Sequence, residues 1–179
     1  MPSDRAVALL DLSGSMDEQG RLDRARDGVV DWISSLPSDW WFGVYGVTRT
    51  PEAFGETWQS GAERAAAVKW TRERLTGGGF DLKEALATVP VERLGVDTLL
   101  VATDSDPFGD RNEDTPLEVM QIFRQANRLW RVRLHIAFVA PGGRNVTREV
   151  YPEVYDDRKR LLEQFARQTG GTFVAVEQR

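Results

Sequence analysis

The chain has 179 residues, 41% hydrophobic and 28% charged, which suits one soluble domain able to bury its own core. Lys and Arg number 23 against 28 Asp and Glu, a formal charge of −5 that argues against a nucleic-acid partner. Cysteine is absent, which removes disulfides and thiol chemistry, and no apolar run approaches the roughly 20 residues of a membrane span.

In chain order, Ala6–Leu10 is a continuous apolar run, the pattern of a strand covered on both faces. It leads into Asp11-Leu12-Ser13-Gly14-Ser15-Met16, which presents one carboxylate and two hydroxyls at i, i+2 and i+4. Such a spacing has two readings: oxygens converging on a hard divalent cation, or Asp11 and Ser13 capping the next helix. Leu22, Ala25, Val29, Ile33 and Leu36 then recur at helical spacing, with Pro37 as the stop. Trp41–Val47 reads as a second strand and Ala53–Trp58 as a short, more polar third strand at an edge. Ala62–Leu75 is a helical pattern broken by Gly77-Gly78-Gly79, after which Asp81 caps a helix running to Val89.

Val96–Thr103 has the most buried character of any strand and runs into Asp104. The acidic stretch 105–115, which includes Asp106, reads either as a solvated loop or as added negative charge around a cation. Pro116–Trp130 is an amphipathic helix, Leu134–Ala140 a strand, Lys159–Thr169 a helix ended by Gly170-Gly171, and Thr172–Val176 the last strand. The connection 141–157 is long for a compact domain and reads as a functional loop or a strand extension. Strands alternating with helices give an α/β fold with a mostly parallel sheet, in which ligands bind beyond the strand carboxyl ends at the topological switch point.

The motif Asp11-Leu12-Ser13-Gly14-Ser15-Met16 at the end of an apolar first strand resembles the metal-ion-dependent adhesion site (MIDAS) of von Willebrand factor type A (vWA) domains. Leu99–Asp104 is similar to that family's second apolar strand ending in aspartate, and Thr76–Leu86 to its glycine-threonine loop and helix. Arg131–Ile136 and Gly170–Val174 are similar to its last two strands, so the resemblance covers nearly the whole chain as one vWA-like domain, 1–179. It implies a Rossmann-like, mostly parallel six-stranded sheet with helices on both faces and a short antiparallel edge strand. It also implies metal ligation by Asp11, Ser13, Ser15 and Asp104, with Asp81 and Asp106 as accessory oxygens. The cation would be Mg2+, or Mn2+ or Ca2+, and would capture a partner protein's Asp or Glu carboxylate. Aligned on the glycines, the family's metal-binding threonine falls on Phe80, which has no oxygen, so the expected cation site is weak or absent. The alternative is a metal-free vWA scaffold that assembles through surface contacts.

Enzyme readings find little support. Gly77-Gly78-Gly79 fits neither a P-loop nor a dinucleotide fingerprint, and the lone His135 lies in an apolar strand, the setting of a packed structural residue. Trp40-Trp41 reads as one ring in and one partly out, with Trp32 and Trp70 in the core. The start, Met1-Pro2-Ser3-Asp4-Arg5, is not a signal peptide. As written the chain reads as cytoplasmic; as a domain cut from a longer secreted or membrane-anchored protein it would sit elsewhere. Oligomeric state is not legible.

Overall fold

The computed structural model describes residues 4–48, 51–55, 58–79, 95–104, 127, 131–139 and 152–176. Their strands are β1 (Arg5–Asp11), β2 (Trp41–Val47), β3 (Glu52–Ala53), β4 (Thr98–Thr103), β5 (Arg133–Val139) and β6 (Phe173–Val176). The α-helices among these residues are α1 (Arg21–Ser35), α2 (Arg64–Arg72) and α3 (Pro152–Gln168). The strands form one sheet in the order β3-β2-β1-β4-β5-β6. Every pairing is parallel except β2 with β3, which is antiparallel.

Side chains alternate across β1, and the alternation builds two cores. Val7 and Leu9 join Leu99, Val101, Leu134 and Ile136 on one face, where Leu162, Phe165 and Ala166 of α3 cover them. Ala6, Ala8 and Leu10 join Leu100 and Ala102 on the other, beneath Leu22, Ala25, Val29 and Ile33 of α1 and Ala67 of α2. A strand buried on both faces needs a continuous apolar run, which is why Ala6–Leu10 shows no polar alternation. Trp32, Trp40 and Trp70 pack against the second core, whereas Trp41 is half exposed. The switch point falls between β1 and β4, the central pair, because the chain goes to β2 on one side and to β5 on the other.

Two sequence expectations are corrected. The third strand does not run over Ala53–Trp58: only Glu52 and Ala53 pair, with Gly46 and Tyr45. Gly55, at φ +62°, turns the chain away, and further on Gln59 forms an isolated bridge with Phe42. The last helix begins at Pro152 rather than Lys159, so the end of the supposed loop 141–157 is helical. Proline suits a first helical position because its missing N–H would have no partner there. The helices expected over 81–89 and 116–130 lie outside the described residues, apart from Asn127.

Candidate functional site

The site is built where β1 ends. Leu12 and Met16 are buried in the α1-side core and hold the loop down at both ends, while Ser15 between them stays exposed. Gly46 on the neighbouring strand makes room for Leu12, since a Cβ there would stand 2.6 Å from the Leu12 Cδ1. The glycine loop docks on the same turn: Gly14 N–H donates to the Gly78 carbonyl at 3.0 Å, and Gly77 N–H to the Leu12 carbonyl at 2.7 Å.

From Gly14 to Gly20 the backbone is a 3-10 stretch, and Gly20 at φ +66° ends it. That left-handed residue reorients the chain so that Arg21 opens α1. A cation at the first position of a helix opposes the helix dipole, typically by about 0.3–1 kcal/mol. The compensation is a buried ion pair: Arg21 Nη1 lies 2.7 Å from Asp104 Oδ2, with side-chain exposures of 6% and 1%. The same nitrogen donates to the Ser15 carbonyl at 3.0 Å, and Nη2 reaches the exposed Glu18 carboxylate at 3.3 Å.

The other aspartate is also engaged. Asp11 is fully buried; its Oδ1 accepts the Ser13 N–H at 2.8 Å and its Oδ2 accepts the Thr103 hydroxyl. Burial pushes the Asp11 carboxyl above its ordinary value of 3.8, against the lowering effect of the bonds from Thr103 and Ser13. Ser15 Oγ donates to Asp104 Oδ1 at 2.9 Å and lies 3.0 Å from Ser13 Oγ. Ser13 precedes the 3-10 stretch without its side chain capping it; Asp11 closes a local turn onto Ser13 instead.

Asp11, Ser13, Ser15 and Asp104 thus meet in one hydrogen-bonded group at the carboxyl ends of β1 and β4. Phe80, Asp81 and Asp106 lie outside the described residues. Sequence reading missed Arg21 and Thr103. Arg21 did leave a signal, a basic residue where a helix prefers an acid; Thr103 left none beyond its place before Asp104.

The donor set does not suit a divalent cation while Arg21 is in place. All four carboxylate oxygens of Asp11 and Asp104 already accept a protein hydrogen bond, and a guanidinium stands where cationic charge would be needed. Among the described residues no three His, Cys, Asp or Glu side chains gather as a metal-binding group. The four residues of the expected MIDAS ligand set converge, and here they form a hydrogen-bonded cluster closed by Arg21.

An open, mostly parallel sheet wrapped by helices, with a polar cluster at its switch point, defines a Rossmann-like α/β domain. Neither a family profile nor a curated protein sequence matches the chain. Solved structures do. A von Willebrand factor type A protein from Catenulispora acidiphila superposes with a TM-score of 0.71 at 17% identity, over 98% of this chain and 39% of that one. BatB from Bacteroides thetaiotaomicron gives 0.62 at 16% identity, over 98% of this chain and 91% of that one. An aerotolerance-related membrane protein from Bacteroides fragilis gives 0.59 at 15%, over 96% and 90%. The fold is that of von Willebrand factor type A domains, and the chain spans well under half of the first of these structures.

Proposed function

We propose that the chain is a protein-binding module of vWA type that engages its partner through surface contacts and does not depend on a bound divalent cation. The observation that carries this reading is the Arg21–Asp104 pair, which neutralises the second strand-end aspartate from within the chain. Partner contact on this reading falls at the carboxyl-end face of the sheet, where the glycine loop, two residues on from Leu75 in sequence, docks on the turn that holds exposed Ser15. Leu75 is 78% exposed, one of few large apolar side chains left open among the described residues. An apolar anchor with a polar surround is the usual anatomy of a protein interface. The domain is single and works as a binder rather than an enzyme: His135 is occupied with the Thr172 hydroxyl at 2.8 Å, and no imidazole is bonded to Ser13 or Ser15.

Capture of a partner's Asp or Glu by a Mg2+ held at Ser13, Ser15 and Asp104 is the second reading, favoured by the convergence of those three side chains. Partner capture in EDTA and in magnesium separates the two. A partner purified from the source organism and bound equally in both supports surface contact, and loss of that binding in Leu75→Asp locates it. Binding abolished by EDTA and restored by magnesium would support carboxylate capture. No described helix is long and apolar enough to cross a membrane.

A further inference from the structure

A cluster of aspartates and serines at a strand end requires a positive charge if both carboxylates are ionised, and the chain supplies one itself. We propose that the Arg21 guanidinium is the resident cation of this site, and that a divalent-cation site lies latent beneath it, open only when Arg21 is removed from Asp104. The inference deepens the metal-independent reading above by naming what replaces the metal.

Three features carry it. First, Arg21 is bound as a ligand-set cation would be, joining the end of β4 through Asp104 to the β1 loop through the Ser15 carbonyl, across 83 positions of sequence. Second, hard oxygens lie side by side next to it: Ser13 Oγ, Ser15 Oγ and Asp104 Oδ1 form a chain of contacts at 3.0 and 2.9 Å in which Arg21 takes no part. Third, the arrangement goes against local preference, because a cation at a helix start is disfavoured and this one is 94% buried, with 6% of the side chain exposed. A guanidinium remains charged at any physiological pH and is never lost to chelation. It leaves the neighbouring oxygens bound to one another and presents no open coordination position, so a partner carboxylate has nothing to ligate.

Manganese and magnesium titrations of the isolated protein test this without any partner, so the outcome is independent of whether the partner reading holds. In the native chain, neither ion at millimolar concentration shifts the melting temperature relative to EDTA, and Mn2+ relaxation of water protons shows no tight site. Arg21→Ala melts lower in EDTA and recovers by several degrees in Mn2+ or Mg2+, because a ligand that binds only the folded state stabilises it. Its Mn2+ affinity exceeds that of the native chain by at least about tenfold. Adding Asp104→Asn to Arg21→Ala abolishes the recovery, which fixes the ion at this site. Should Arg21→Ala fail to fold in EDTA, Arg21→Gln, which retains a hydrogen-bond donor, carries the same comparison. A variant that is destabilised but gains no cation response overturns the proposal, since a purely structural ion pair would behave in that way. Equal or tighter Mn2+ binding by the native chain overturns it as well.

Discussion

Two of the ion pairs made by helix α1 are of opposite character. At its first residue, Arg21 meets Asp104 at 2.7 Å with both side chains almost wholly buried. One turn and a half later, Asp27 faces Arg72 of α2 at 3.9 Å, the two side chains 70% and 61% exposed. The charges are the same and the consequences are not. The exposed pair exchanges water for a loose contact and is screened by salt over about 8–10 Å. The buried pair has given up its hydration, so each partner depends on the other. Proximity of opposite charges therefore says little until burial is known; at Arg21 it marks the place where the fold replaces solvent with a fixed charge.

The comparison can be broken most forcefully at its buried end. Arg21→Met should cost about 3–5 kcal/mol in urea unfolding, because it strands a buried carboxylate. Asp104→Leu combined with Arg21→Met should recover a large part of that loss, giving a coupling energy well above that of any exposed pair. An additive double variant would show the two side chains to be independent.

Next in size is Thr103→Val, which keeps a β-branched strand residue but removes the hydroxyl on Asp11 Oδ2. Losing a hydrogen bond to a buried carboxylate costs about 1–3 kcal/mol. The bond from Thr103 lowers the Asp11 pKa, so its loss raises an already elevated value further. The sign follows from proton binding: a carboxyl raised on folding holds its proton longer in the folded state than in the unfolded chain. Its contribution is most favourable below the unfolded value of 3.8 and is lost as pH rises through the folded value. Thr103→Val should therefore widen the pH range above 3.8 over which stability falls, and Asp11→Asn should remove that component. Melting temperatures from pH 4 upward, corrected against the native chain, read both.

Smaller again is Ser15→Ala, which removes the donor to Asp104 Oδ1 but leaves the Arg21 contact. A loss of about 0.5–1.5 kcal/mol is expected. At the exposed end, Arg72→Ala should stay within about 0.5 kcal/mol and lose even that at high salt. A cost for Arg72→Ala rivalling that of Arg21→Met would remove burial as the distinction between the pairs.

Much of the scaffold was legible because burial on both faces writes itself as uninterrupted apolar runs: Ala6–Leu10 and Leu99–Ala102 could hardly be anything but central strands. The motif from Asp11 to Met16 was legible for a local reason, its spacing along one turn. What escaped was long-range or conformational. Arg21 finds Asp104 across 83 positions, and no periodicity encodes that pairing. The end of the third strand is not legible, because Gly55 gives no sign in sequence of the left-handed turn that ends it. The start of α3 is ambiguous in sequence because proline is equally at home in a loop and, like Pro152, as a first helical residue.

The central claim, that a guanidinium holds the place of a metal, is tested most directly by crystals grown in manganese, with data collected at the manganese absorption edge. The account predicts no anomalous peak among Ser13, Ser15 and Asp104, and Arg21 Nη1 in contact with Asp104 Oδ2 as found here, at 2.7 Å. An anomalous peak bonded to Asp104 with Arg21 swung out to solvent would contradict it.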